Sequence, residues 1–266
     1  MVIFYLGLSY VSNQDPEYIG QKSLRILRKL DRRAENSRAL GLGFEKAAGG
    51  KGEPLILTET GGRPYFADHH ADFNISHSKR MAAVSYLSSP NRRFRTGCDI
   101  QYQQPKKTYR EIAAHFFHPP EREFLTAART GTEGLRSFYL LWTLKEAYLK
   151  IRGLSVFDLR RCPVFSFDGQ TGGKIPSEVF RDHGEPEGEY FFSGDSGNDR
   201  NLEFFLYETR DPARGAYSLA VCREQDEPGP SAEPEVRWFS REKLPLKSIA
   251  KIKAAERPIK TVNPKI

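Results

Sequence analysis

Several short stretches of this chain gather groups that can act on an anion. Asp99 stands in GCDIQ, residues 97–101, between Cys98 and Ile100. A carboxylate in an apolar strand is costly to bury unless a cation or a metal partners it. Strand alternation puts Asp99 and Gln101 on one face, with Cys98 and Ile100 on the other. A second stretch, LLWTLKEAYLK at 140–150, has helical periodicity. Phe138, Leu141, Trp142, Leu144, Tyr148 and Leu149 form its apolar arc. Glu146 and Lys150 flank that arc four residues apart, a pairing worth only a few tenths of about a kcal/mol when exposed. Lys145 falls inside the arc, so it must snorkel to water or meet an anion. A third stretch, FNISHS at 73–78, is followed by Lys79 and Arg80. Ser76, His77 and Ser78 with these cations supply the hydroxyl, imidazole and ammonium or guanidinium donors that phosphate oxygens accept. The histidines at 69, 70, 115 and 118 lack a further His or Cys to complete a metal site.

Those groups need elements to hold them. A strand over 2–10 is followed by a helix beginning near Pro16, with Ile19, Leu24, Leu27 and Leu30 near one face, and by a second helical stretch at 33–47. Short strands follow at 55–58, 64–66 and 73–76. Two more, at 81–87 and 94–101, are joined by the turn SSPNRR. Thr108 answered by Glu111 reads as a capping box, and Pro120-Glu121 as a helix start. A long helix over about 135–152 ends at Gly153, and strand-like segments then dominate to about 222. The order predicts an α+β protein of two related layers. The expected division is an N-terminal half, 1–102, a C-terminal half, 103–223, and a linker with a basic, loosely ordered tail, 224–266.

A net charge of +7 favours anionic partners, whether nucleic acid, phosphate-bearing cofactors or acidic protein surfaces. Apolar residues at 38% suit a globular chain. Three widely spaced cysteines argue against a disulfide framework. With no signal peptide and no apolar run of spanning length, a cytoplasmic protein is expected.

In order, the chain reads GRP, FNISHS, GCDIQ, FFHPPE and WTLKEAYLK. That series resembles the 4′-phosphopantetheinyl transferases of the surfactin-synthetase-activating type, over roughly residues 20–165. The resemblance implies two similar halves in a pseudo-twofold arrangement, each a small, mainly antiparallel sheet with a long helix. It implies Mg²⁺ held by Asp99 and Glu146, with Gln101 where the family commonly has a second acidic residue. Ser76 and His77 would contact the 3′-phosphate of coenzyme A, with Arg63 nearby. Lys150, and with it Lys145, would reach the phosphates, and Arg38, with Arg32 and Arg33, would add basic contacts. Glu121 would be the base for a carrier serine, with Glu146 and Lys150 also catalytic. The implied reaction transfers the 4′-phosphopantetheine group from coenzyme A to a serine of an acyl, peptidyl or polyketide carrier protein, releasing adenosine 3′,5′-bisphosphate. A monomer is expected, with no membrane partner. The rival readings are a homologue that binds coenzyme A or carrier proteins without turnover, and a basic nucleic-acid-binding module. The latter is disfavoured because the basic residues are thinly spread and no RNA- or DNA-binding motif is present.

Overall fold

The computed structural model describes residues 3–11, 15–41, 55–59, 62–89, 94–127, 130–166, 190–193, 202–224 and 233–254. In chain order the elements are β1 (Ile3–Tyr10), α1 (Pro16–Gly41), β2 (Ile56–Thr58), β3 (Pro64–Phe66), β4 (Asp72–Ser78), β5 (Met81–Ser88) and β6 (Thr96–Tyr102). They continue with α2 (Tyr109–Phe116), α3 (Pro119–Thr126), α4 (Gly131–Arg152), a 3₁₀ turn (Val156–Arg161), β7 (Val164–Ser166), β8 (Tyr190–Ser193), β9 (Leu202–Asp211), β10 (Gly215–Glu224), β11 (Glu235–Trp238) and β12 (Leu246–Ala254). The fold is α+β, as the order of helical and strand patterns predicts. Among the described residues no helix is long and apolar enough to cross a membrane.

The strands form two main sheets, ordered β11-β1-β5-β4 and β6-β10-β9-β12-β8-β7. Period-two alternation gives each sheet two apolar faces. Phe4, Leu6 and Leu8 of β1 and Met81, Ala83 and Leu87 of β5 meet Cys98, Ile100, Phe205, Tyr207, Leu219 and Val221 of the second sheet in one core. Their neighbours Ile3, Tyr5, Ala82, Val84 and Tyr86 turn the other way, to Ile19, Ile26, Leu27 and Leu30 of α1. On the far side, Phe204, Leu206, Ala220 and Cys222 pack against Leu140, Leu144, Ala147 and Ile151 of α4. The layers therefore run α1, first sheet, second sheet, α4, with one long helix on each sheet.

Four backbone donors along β6 are satisfied in an unusual way. The N–H groups of Thr96, Cys98, Ile100 and Tyr102 donate to the side chains of Asp72, Asn74, Ser76 and Ser78, at 2.7, 3.2, 3.2 and 2.9 Å. Every second residue of β4 thus offers a side-chain acceptor to the edge of β6. An unpaired sheet edge would otherwise leave these donors without partners inside the protein. This row joins the two sheets along one seam, and the functional groups lie beside it.

Four expectations differ from the structure. The tail is not loose throughout: β11 pairs in parallel with β1, and β12 lies between β9 and β8. Residues 235–254 thus supply a strand to each sheet, and the backbone hydrogen bonds of those ladders order them despite the high charge of the segment. β6, assigned by sequence to the N-terminal half, belongs to the second sheet, because it pairs with β10 through seven residues. The two expected N-terminal helices are one helix up to Gly41, and the remainder of the second lies outside the described residues. Thr108 precedes α2 without a side-chain capping bond. Glu121 does cap α3, through its carboxylate and the His118 N–H.

Candidate active site

Gly97 decides how closely α4 approaches β6. A Cβ at this position would sit 2.4 Å from the Ala147 carbonyl oxygen and 3.1 Å from the Ile151 Cβ. Only glycine admits the helix this near. The approach brings the Glu146–Lys150 turn over Asp99, which faces α4 as strand alternation requires. At the other end of α4 a Thr130–Glu133 capping box starts the helix, and Gly153 closes it in the left-handed region at φ 66°.

Asp99 is 2% exposed and holds three partners. Its Oδ1 accepts from the Ser76 hydroxyl at 2.8 Å and from the Lys150 ammonium at 2.7 Å. Its Oδ2 accepts from the Gln101 side-chain amide at 2.9 Å. Lys150 Nζ also donates to Ser76 Oγ at 2.9 Å. Ser76 Oγ therefore donates once and accepts twice, from Lys150 and from the Ile100 N–H, which uses its whole hydrogen-bonding capacity. Burial works against the charge on Lys150, but Asp99, Cys98 and Glu146 outweigh it and its pKa is raised. Lys150 keeps 28% of its side chain exposed, so the ammonium is held yet reachable.

Glu146, half-buried one turn before Lys150, is pushed up to about 7 by burial and by the charge of Asp99, with Lys150 opposing. A carboxylate raised by a second one beside it in this way leaves room for a further cation. Mg²⁺ needs one or two carboxylates and completes its octahedron with waters or phosphates. The donor set of Asp99 and Glu146, with the Gln101 amide alongside, fits that requirement. Among the described residues no group of three or more His, Cys, Asp or Glu side chains is placed to hold a metal by itself.

The structure brings together Ser76, Asp99, Gln101, Glu146 and Lys150 and sets other candidates apart. His77 is exposed on the opposite face of β4 from Ser76, so the two side chains do not point at one phosphate. Lys145 and Glu121 form their own ion pair at 3.0 Å, with neither side chain exposed. Lys145 lies over the Phe117 and Phe165 rings, and Glu121 also accepts from the His118 and Phe165 N–H groups. A base must touch the hydroxyl it deprotonates, and a ligand cation must touch its phosphate. In this arrangement neither residue can, which corrects the expected roles of both. Arg63 is likewise withdrawn from ligand, its side chain being 4% exposed. Arg32 and Arg33 are exposed on α1, and the Arg38 side chain lies outside the described residues.

Sequence reasoning missed Asp72 and Asn74, whose side chains fix the height of β6 and so of Asp99. Their signal was the alternation Asp72, Asn74, Ser76, Ser78, a polar row at period two.

Residues 95–222 match the family model of the 4′-phosphopantetheinyl transferase superfamily. That segment is similar to the domain of this superfamily. It runs from the start of β6 to β10 and contains Asp99, Gln101, Glu146 and Lys150, whereas Ser76 and Arg63 precede it. The chain is 33% identical over 132 residues to a protein of Haemophilus influenzae named putative 4′-phosphopantetheinyl transferase, a match covering 50% of this chain and 51% of that protein. It is 32% identical over 112 residues to the 4′-phosphopantetheinyl transferase HetI of Nostoc, covering 40% and 44%. It is 33% identical over 133 residues to the 4′-phosphopantetheinyl transferase Sfp of Bacillus subtilis, covering 47% and 54%. The chain spans about half the length of the curated relatives it matches.

Proposed function

We propose that this protein transfers the 4′-phosphopantetheine group of coenzyme A to a serine of an apo-carrier protein, with Mg²⁺, as an enzyme of the surfactin-synthetase-activating type. The observation that carries the reading is the Asp99–Lys150 contact with Glu146 beside it, inside the segment that matches the superfamily. Two sheets with a long helix each, in a single chain, support the subtype.

Displacement at phosphorus needs charge neutralisation and in-line positioning more than a protein nucleophile. Lys150 supplies a cation whose ammonium can exchange its contact with Asp99 for a phosphate oxygen. Glu146 would accept the serine proton at a carboxylate oxygen not given to a cation. Asp99 and Glu146, with Gln101, would hold Mg²⁺, which supplies Lewis-acid charge neutralisation at the pyrophosphate of coenzyme A. Asp99, 2% exposed and fixed by Ser76, keeps its place while partners change. His77, exposed on β4, is the candidate for the 3′-phosphate. The net charge of +7 suits a polyanionic co-substrate and an acidic carrier.

The test is release of adenosine 3′,5′-bisphosphate from coenzyme A. It should require both an apo-carrier protein and Mg²⁺. Release without a carrier would point to hydrolysis instead, and binding of coenzyme A without any release would leave only a binding protein.

A further inference from the structure

Arg63 lies just before β3, far from Lys150 in sequence, and its guanidinium ties three elements together. Its Nη1 donates to the Lys150 carbonyl oxygen at 2.6 Å. Its Nη2 donates to the Thr96 carbonyl oxygen of β6 at 3.0 Å and to the Asp72 carboxylate of β4. The same Asp72 oxygen accepts from the Thr96 N–H at 2.7 Å. One buried ion pair therefore spans the seam between the sheets and reaches the end of α4.

The carbonyls of a helix's last turn have no intrahelical donor. From the backbone the Lys150 carbonyl receives a long contact from the Gly153 N–H, at 3.4 Å. Arg63 meets that need with a charged donor, at the helix end where positive charge is favoured. The residue whose carbonyl is held is the one whose ammonium sits on Asp99 and Ser76. Asp99 lies on β6, whose first residue the same guanidinium also holds. Arg63 thus sets the backbone origins of both partners of the Lys150–Asp99 contact.

We infer that Arg63, anchored by Asp72, is a positioning residue that places Lys150 over Asp99, and that it does not touch the co-substrate. The inference rests on the proposed transferase reading for its kinetic consequence, but not for its structural one. Lysine in its place keeps the charge yet cannot reach Lys150, Thr96 and Asp72 together, because an ammonium is a point donor and the guanidinium a planar fork.

The experiment compares the full chain with Arg63→Lys, Arg63→Ala and Asp72→Asn, after thermal melts have established which variants are folded. Without any substrate, hydrogen exchange is followed in peptides covering 147–155 and 94–100. Faster exchange confined to these two segments is expected in each Arg63 variant, and unchanged exchange there overturns the inference whatever the protein catalyses. With coenzyme A, dephospho-coenzyme A and an apo-carrier, the maximal rate per folded molecule is expected to fall between about tenfold and a hundredfold. KM should change little, and by the same factor for both co-substrates. The Arg63→Lys, Asp72→Asn double variant should lose no more than the worse single one. A loss confined to coenzyme A over its dephospho form would make Arg63 a phosphate ligand and overturn the inference. Lower melting with an unchanged maximal rate would make it structural only. If the unmodified chain has no turnover, the transferase reading fails while the exchange result still decides the role of Arg63.

Discussion

The Lys150 ammonium lies 2.7 Å from the Asp99 carboxylate, and a single serine hydroxyl, that of Ser76, bonds to both. The contact crosses from helix to strand and is reinforced from the other sheet. Asp99 is thereby neutralised while still buried, so the site can form before any ligand arrives. Replacing Asp99 with Asn should leave the protein folded, since an amide oxygen can still accept from Ser76 and Lys150. Phosphopantetheine transfer should fall by about a hundredfold or more, the usual cost of removing a preorganised charged group. A steady-state rate within a few fold of the unmodified protein would take Asp99 out of the chemistry.

Gln101 donates its amide to Asp99 at 2.9 Å. Gln101→Glu replaces a donor with a second negative charge at that position. Without divalent cation the variant should melt lower, by about 2–4 °C for each kcal/mol of repulsion. Mg²⁺ should restore the difference and bind more tightly than to the unmodified chain. Calorimetric melts in chelator and in Mg²⁺ read both effects, and identical melts in the two would place Gln101 outside the cation's reach.

Because His77 and Ser76 face opposite sides of β4, their variants should behave differently. His77→Ala should weaken coenzyme A more than dephospho-coenzyme A, since only the former carries the 3′-phosphate. A charge-assisted hydrogen bond of roughly 1.5–3 kcal/mol corresponds to tenfold or more in affinity. Binding measured by titration calorimetry gives the two affinities directly. An equal loss for both would leave His77 without a phosphate to hold.

The buried pair of Lys145 and Glu121 predicts a stability defect rather than a catalytic one. Lys145→Met leaves a carboxylate uncompensated among Phe117, Phe165 and α3, at a cost of about 3–5 kcal/mol. Denaturant titration should show that loss, with turnover per folded molecule preserved. Full stability with lost turnover would return both residues to the site.

His70 joins α1 to the approach to β4. Its ring meets the buried Asp31 at 2.7 Å and also Asp68, while the Tyr86 hydroxyl donates to Asp31. The hydrogen bond to Asp31, against burial and with help from Asp68, raises the pKa of His70 above its ordinary value. A raised value means the charged form favours folding. This contribution is full below the unfolded value near about 6.5 and is lost as pH rises through the higher folded value. Stability should thus decline on that upward limb, and His70→Gln should flatten it. An unchanged pH profile in the variant would show that the His70–Asp31 contact contributes nothing.

Much of this could be read from residue order, and the failures have physical causes. The long helix ending at Gly153 and the facing of Asp99 and Gln101 follow from local periodicity alone. FNISHS was legible as a set of polar groups, but not in its main use. Ser76 and Ser78, with Asp72 and Asn74 before them, accept backbone N–H groups from residues 24 positions later. That role depends on two edges meeting, which no local pattern encodes. Lys145 was legible as a misplaced cation, while its partner Glu121 came from another helix. In β12 a register shift between Ser248 and Ala250 interrupts the alternation by which a strand is recognised. Its lysines and the acidic, proline-rich run before β11 then read as a solvated tail.

The most direct test of the central claim is the intact mass of an apo-carrier protein after incubation with this chain, coenzyme A and Mg²⁺. The account predicts a gain of one 4′-phosphopantetheine group on the carrier serine, absent in chelator and strongly slowed in the Asp99→Asn variant. A carrier mass that stays at the apo value, with a folded protein that binds coenzyme A, would contradict it.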